Sequence, residues 1–98
     1  MQVTGSTTDD WQEVLRWACM YINKKTIVVS NTGSNSMDVQ VNVTAHADSV
    51  EHTKYSTTID AGKSSEFVLN DAYAQIILKV KSTTSGNPTT FVADYVGW

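Results

Sequence analysis

The residues that could carry chemistry are two histidines, one cysteine and a scatter of carboxylates. His46 and His52 flank Asp48 in one polar stretch, and imidazole with carboxylate is a ligand set that zinc and similar ions accept. The alternative is that both histidines are solvated beside a turn. We expect this alternative and therefore predict no metal site. Cys19 lies far along the chain from both histidines, so a thiol nucleophile with an imidazole base is not expected.

Motifs that carry catalysis are absent from the sequence. It has no Gly-x-Ser-x-Gly, no glycine-rich phosphate loop and no His-Glu-x-x-His, which are the arrangements that position a nucleophile, a phosphate or a zinc ion. The carboxylates from Asp38 to Asp94 stand singly at predicted strand ends and turns, without the Asp-x-Asp spacing of a calcium loop. We therefore predict no catalytic residue and no cofactor, and we expect the protein not to be an enzyme.

The aromatic residues are the other candidates for binding. Trp11 and Trp17 are predicted to be core residues. A sugar-binding face needs two or more exposed, coplanar rings beside polar groups, for which Tyr55, Tyr73 and Trp98 are the candidates. Trp98 is the last residue, and an indole that is not anchored in the core is typical of an exposed interface anchor.

Composition limits the remaining classes. The 98 residues suffice for one domain, and the formal charge of −3 with seven scattered basic residues works against a nucleic-acid groove. A single cysteine allows no internal disulfide, so packing must supply the stability. No apolar stretch approaches the length of a membrane span, and the first residues lack the basic-then-apolar order of a secretory signal. We expect synthesis in the cytoplasm without a signal peptide and no membrane insertion.

The clearest structural signal lies between Lys25 and Ala45. Two apolar runs, over 26–29 and 39–44, are separated by the turn-favouring residues 31–36, and this arrangement predicts a β-hairpin. In the second run, valines alternate with polar residues, which predicts a sheet covered on one face only.

The stretch from Trp11 to Tyr21 fits two structures. Its apolar residues form one helical stripe behind a possible aspartate cap. From Leu15 onward they also alternate, and they include aromatics that suit a strand. The all-β context favours the strand, with a helical turn left open over residues 9–13.

The rest of the chain predicts further strands and an N-terminal arm. Residues 1–10 are polar and without periodicity, which predicts an arm, with a short edge strand over Gln2–Thr4 as the alternative. Residues 11–98 form the single domain. In the last predicted strand, large apolar side chains lie on both faces, which indicates a strand covered twice or used as a contact surface. The further strands are predicted over 50–59, 65–69, 74–81 and 90–98.

Seven to eight strands at intervals of about ten residues, without a long helix, predict an all-β fold: a two-sheet antiparallel sandwich of jelly-roll or Greek-key type. A small closed barrel is the alternative.

Four segments carry a resemblance to a known group, and they make the chain similar to small β-sandwich proteins of bacteria and their phages. They are Trp11-Gln12-Glu13-Val14 with Trp17, the strand and turn over 28–35, Asp60-Ala61-Gly62 before an apolar strand, and the loop over 82–90 before the last strand. The turn within 28–35 and the loop over 82–90 contribute most to the resemblance. The resemblance implies a jelly-roll subunit that assembles into a virion part or into a surface appendage such as an endospore appendage. This sequence lacks the N-terminal cysteines that cross-link the appendage subunits, which favours a noncovalent assembly.

The sequence thus predicts a non-enzymatic, self-assembling structural protein, most readily a phage virion component such as a head-decoration or tail protein. Its expected partners are copies of itself and other structural subunits, with no nucleic acid, and its expected location is the virion. A filament subunit of a cell or spore surface appendage and a carbohydrate- or ligand-binding module are the alternatives. The predicted assembly contacts are Gln2, Val3, Thr4, Val92, Val96 and Trp98.

Overall fold

The computed structural model describes all residues from 1 to 98 and consists of strands and loops without a helix. Its eight strands, listed here in chain order, form two four-stranded sheets, which confirms the predicted two-sheet sandwich. They are β1 (Gln2–Ser6), β2 (Gln12–Ala18), β3 (Lys25–Asn31), β4 (Met37–Thr44), β5 (His52–Ile59), β6 (Ser64–Val68), β7 (Gln75–Ser82) and β8 (Thr90–Gly97).

The strand order is that of a jelly roll. Sheet A runs β1-β8-β3-β6 and sheet B runs β2-β7-β4-β5, with every pairing antiparallel. Each connection passes from one sheet to the other except that between β4 and β5, which pair directly. Eight strands arranged in this way cover both inner faces with one shared core.

The predicted hairpin between Lys25 and Ala45 is wrong, because β3 lies in sheet A and β4 in sheet B. The connecting loop, residues 32–36, crosses between the sheets and is held by the buried side chain of Asn31. That amide donates to the Asn35 carbonyl at 2.7 Å and to the Ile59 carbonyl at 2.9 Å. Inward-facing residues alternate with outward-facing ones in both strands, so period-2 alternation cannot distinguish a hairpin from a crossover between packed sheets.

The N-terminal residues form an edge strand on the chain's own sheet, the alternative to the predicted arm. β1 pairs with β8 in the register Thr4 to Val92, and the Thr7 amide continues the ladder by donating to the Thr89 carbonyl at 2.8 Å. An extended polar segment gains hydrogen bonds by adding to a sheet edge, and sequence pattern alone does not show this.

The ambiguous stretch from Trp11 to Tyr21 is strand β2, with no helical turn before it and with a bulge between Glu13 and Leu15. Trp17 is buried, as predicted, and its ring meets Tyr95 edge-on at 5.1 Å. Trp11 is 40 % exposed, so its predicted place in the core is wrong. The Lys81 ammonium lies 5.7 Å from the centre of its ring.

The core is a single cluster of side chains from the inner faces of both sheets. Burial of this apolar surface is the main source of stability in a chain without a disulfide. Its largest fully buried hydrophobic members are Phe91, Ile27, Met37, Ile59, Leu69, Ile76 and Leu78.

Candidate assembly surface

One end of the sandwich carries exposed hydrophobic side chains, and the other is polar. The loops β2–β3, β4–β5 and β6–β7 lie at the same end as residues 1 and 98. We call this end, with Met1, Met20, Tyr21, Val50 and Trp98, the apolar end. Tyr21 is 93 % exposed and Trp98 is 74 % exposed. Exposed large apolar side chains gathered at one place mark an interaction surface more often than scattered ones do.

The loops that carry the apolar end are tied together by a buried lysine. The Lys25 side chain is 1 % exposed, and its ammonium donates to the Ile22 carbonyl at 2.7 Å and to the Asp71 carbonyl at 2.9 Å. The Tyr73 ring lies 5.9 Å from the same ammonium. A buried charge is tolerated only when it is hydrogen-bonded, and these bonds join the β2–β3 loop to the β6–β7 loop.

Backbone hydrogen bonds fix the neighbouring segments. The Trp98 amide donates to the Lys24 carbonyl, and the Trp98 carbonyl accepts from the Asn23 and Lys24 amides, all at 3.0 to 3.1 Å. The Ile22 amide donates to the Cys19 carbonyl and closes a turn with Met20 and Tyr21 at its tip. These hydrogen bonds therefore fix the backbone from which the exposed side chains project. We call this backbone, together with the Lys25 side chain and its bonds, the frame.

Cys19 belongs to this frame. Its thiol is buried and donates to the Tyr73 carbonyl at 3.6 Å. Burial raises the pKa of the Cys19 thiol, and the nearby Lys25 charge opposes that effect in part. A protonated, buried thiol is a packing residue and a poor nucleophile.

The outer face of sheet A continues the apolar surface along the sandwich. Val96, Thr26 and Val68 form the row across this sheet nearest the apolar end, and Val96 is 52 % exposed. In the next row Val28 lies between Asp94 and Glu66, and in the row after that Val92 lies between Thr4 and Ser30. The charged side chains on this face are Asp94, which accepts a hydrogen bond from the side-chain amide of Gln2 at 2.9 Å, and Glu66. No other layer of this chain covers the face.

The outer face of sheet B is different, because charged side chains cover it. Arg16 binds Glu13 at 2.7 Å, and Lys79 binds Glu51 at 3.1 Å. The hydrogen bond from Arg16 lowers the pKa of Glu13. Hydrogen bonds from Asn42 and then Lys79 lower the pKa of Glu51.

The β4–β5 loop also covers part of the outer face of sheet B. The Asp48 amide donates to the Gln75 side chain at 3.2 Å, which holds the β4–β5 loop against sheet B. Asn42 and Thr44, expected on a solvated face, are consequently buried, as is Ile77 beside them. The expectation that this sheet is covered on one face only is therefore wrong at this end.

Five of the six predicted assembly residues lie on a surface that is free in the single chain. Gln2, Thr4, Val92 and Val96 share the outer face of sheet A, and Trp98 lies at the apolar end. Val3 instead points inward and packs against the core. Whether the five make contacts with a partner stays a prediction.

Sequence reasoning missed Met20 and Tyr21. Tyr21 continues the alternate positions of Trp17 and Cys19, and Met20 falls between them, which indicated that the strand continues through Tyr21. Strand β2 instead stops at Ala18. Large apolar residues are unusual at a turn tip, so their types gave no signal of exposure.

The opposite, polar end contains two shallow depressions formed by the β3–β4 and β7–β8 loops. The larger measures about 310 Å³ and is lined by Ser34, Asn35, Ser36, Thr83, Thr84 and Asn87. The other, of about 200 Å³, shares Ser34 and is lined by uncharged residues as well. Such walls can hydrogen-bond a neutral polar molecule but provide no ring for stacking.

The three aromatic candidates for sugar binding do not form a platform. Tyr55 packs on the buried Phe67 at 5.5 Å between ring centres, and its hydroxyl donates to the Val68 carbonyl at 3.1 Å. The Lys54 ammonium lies 5.6 Å from the Tyr55 ring centre and 5.8 Å from that of Tyr73. Trp98 shares no ring contact with either tyrosine.

The histidine pair does not form a metal centre with Asp48. No group of three or more histidine, cysteine, aspartate or glutamate side chains is placed to hold a metal ion. The Asp48 carboxylate lies 3.7 Å from the Arg16 guanidinium instead. No helix in the structure has the length and apolar character needed to cross a membrane.

Comparisons with known proteins support the fold. No protein-family model matches the chain, and no curated protein matches it. Among solved structures, that described as the crystal structure of PirA superposes with a TM-score of 0.75 at 12% sequence identity, over 97% of this chain and 93% of that chain. The SPBc2 prophage-derived protein YomS gives a TM-score of 0.59 at 12% identity, over 100% of this chain and 96% of that chain. The predicted resemblance to small bacterial and phage β-sandwich proteins is thus confirmed at the level of the fold.

Proposed function

We propose that this chain is a non-enzymatic structural subunit that assembles with copies of itself through the apolar end and the outer face of sheet A. The particle we propose is a phage virion, with the chain as a head-decoration or tail protein beside other structural subunits. The same surface would serve a filament subunit of a bacterial appendage, which is the alternative.

The uneven distribution of exposed apolar residues carries the proposal. Of the eight large hydrophobic side chains that are exposed, five form the apolar end and two, Val68 and Val96, lie in the adjoining row of sheet A. The eighth, Trp11, lies near the polar end. Burial of such residues drives association, and aromatic residues near the centre of an interface contribute most of its free energy.

Two further observations favour a docking surface. The loops of the apolar end are braced by Lys25 and by the bonds of Trp98, so little conformational entropy is lost on contact. The charged side chains on the outer face of sheet B are already paired within the chain, and that face offers little to a partner. One neighbour in fold is described as prophage-derived, which supports the phage particle over the appendage.

Light scattering and negative-stain microscopy of the purified chain test the proposal. We expect oligomers or larger particles whose mass rises with concentration. Tyr21→Ser and Trp98→Ser should lower the mass toward that of one chain, because each removes an exposed aromatic from the surface. Trp11→Ser, which removes an exposed aromatic near the opposite end, is the matched control and should leave the mass unchanged. A wild-type chain that stays monomeric at every concentration contradicts the proposal.

A carbohydrate- or ligand-binding module is the second candidate, and the depressions at the polar end favour it. Their hydroxyl and amide groups suit a neutral, hydroxyl-rich ligand, and the absence of an aromatic platform counts against tight binding. Titration with neutral glycans, followed by amide chemical shifts in NMR spectra, tests this function. Shifts confined to Ser34 and Asn87 would support it, and unchanged spectra would exclude it for the glycans used.

A further inference from the structure

Of the four strands at the edges of the two sheets, β1 alone lacks protection against pairing. Strand β2 is bulged and carries Glu13 and Arg16, and β5 carries Lys54. Strand β6 has Glu66 at its centre. Charges and bulges are the usual means by which an edge avoids another strand. The sequence of β1, Gln-Val-Thr-Gly-Ser, contains no charge, no proline and no bulge.

The hydrogen-bond directions of β1 follow from its ladder with β8. The Met1 carbonyl accepts from the Tyr95 amide, and the Thr7 amide donates to the Thr89 carbonyl. Residues alternate between bonded and non-bonded positions in an antiparallel pair, so Val3 and Gly5 also bond to β8. Gln2, Thr4 and Ser6 consequently direct their amides and carbonyls away from the sheet, and all three are exposed.

We propose that two copies of the chain join through β1 in an antiparallel pair centred on Thr4. In this register Thr4 meets Thr4 and Gln2 meets Ser6, so each outward amide and carbonyl has a partner. A shift of two residues leaves outward groups of the strand without a partner. The expected partner of β1 is β1 of a second copy, because the strand is complementary to itself in this register. It also carries no charged side chain that would repel the same strand of the second copy.

This contact rests on the proposed self-assembly and specifies one step of it. An antiparallel pair is two-fold, so the apolar ends of the two copies point in opposite directions. The pair therefore presents an apolar end at each extremity, and contacts between those ends extend it further. The two sheets A become one eight-stranded sheet whose outer face remains available to other subunits.

Charge substitution at Thr4 tests the pairing. Thr4→Lys places two ammonium groups opposite each other, and we expect the dissociation constant of the pair to rise about tenfold or more. Thr4→Glu should act alike. Mixing the two variants should restore association, because Lys then faces Glu. The same substitutions at Ser56, an exposed residue of edge strand β5 in sheet B, form the matched control. They should have no effect, because the outer face of sheet B is not part of the proposed assembly surface.

Amide hydrogen exchange in the assembled wild-type chain provides a measurement that needs no variant. The amides of Gln2, Thr4 and Ser6 should exchange about 100-fold or more slowly than in the dilute chain, since they become bonded. Those of Val3 and Gly5 are bonded to β8 in both states and serve as internal controls.

The outcomes separate this contact from the wider proposal. If the wild-type chain assembles, each Thr4 variant alone assembles equally well and the outward amides exchange as fast as in the dilute chain, the β1 pairing is overturned and self-assembly stands. If the chain never assembles, both fail. Loss of association in each variant with recovery in the mixture supports the pairing.

Discussion

Asn31 should be the most sensitive polar residue in the fold, because its side chain joins the two sheets where the sequence suggested a hairpin. Its amide donates to the Asn35 and Ile59 carbonyls, and its oxygen accepts from the Gly33 amide at 3.2 Å and the Thr89 hydroxyl at 2.8 Å. At about 1 kcal/mol for each hydrogen bond, Asn31→Ala should cost about 4 kcal/mol of unfolding free energy. That is a large part of the roughly 5–15 kcal/mol typical of a small domain.

Urea denaturation followed by tryptophan fluorescence, in dilute protein, measures this loss. Asn35→Ala is the control, because its side chain makes one exposed bond, to the Pro88 carbonyl at 2.9 Å, and should cost at most about 1 kcal/mol. Asn31→Asp keeps the acceptor but directs a carboxylate at two carbonyl oxygens, so it should also destabilise at neutral pH. Equal losses for Asn31→Ala and Asn35→Ala would refute the role assigned to this residue.

Three further predictions concern the frame and the charged face. Lys25→Met should lower the unfolding free energy by about 2 kcal/mol, since two carbonyls lose a charged donor while the cost of burying that charge is removed, and amide exchange in the β2–β3 loop should quicken. Gly33→Ala should cost about 1–3 kcal/mol in urea unfolding, because a Cβ there would lie 2.0 Å from the Thr89 hydroxyl oxygen. The pKa of Glu51 is lowered from its ordinary 4.5, so its contribution is present above that pH and is lost as the pH falls through the lower folded value. The melting temperature should drop in that acidic range, and the drop should be smaller in Glu51→Gln.

The alternation of apolar residues was sufficient to predict strands β3 to β8 and the two-sheet class, whereas β1 has no such pattern and β2 also fitted a helix. Valines at every second position of β4 are buried as predicted, because a sandwich needs one apolar face for each strand. The pairing partners could not be read in the same way. A strand that faces the core from sheet A and one that faces it from sheet B have the same period, so the step from β3 to β4 resembled a hairpin.

The candidate surface was predicted in part. Val92, Val96 and Trp98 were identified because the last strand has large apolar groups on both faces, and one face was already required by the core. Met20 and Tyr21 were missed because exposure at a turn depends on the tertiary bonds of Lys25 and Trp98, which sequence spacing does not reveal. Ile77 was expected to be exposed and is buried instead. Its side chain lies on the outer face of sheet B, where the β4–β5 loop folds back over it.

A cryo-electron microscopy reconstruction of the assembled full chain tests the central claim most directly. We predict that the apolar end and the outer face of sheet A are buried between subunits, and that the ion pairs on the outer face of sheet B face solvent. Contacts made through the outer face of sheet B, with Tyr21 and Trp98 left exposed, would contradict the account.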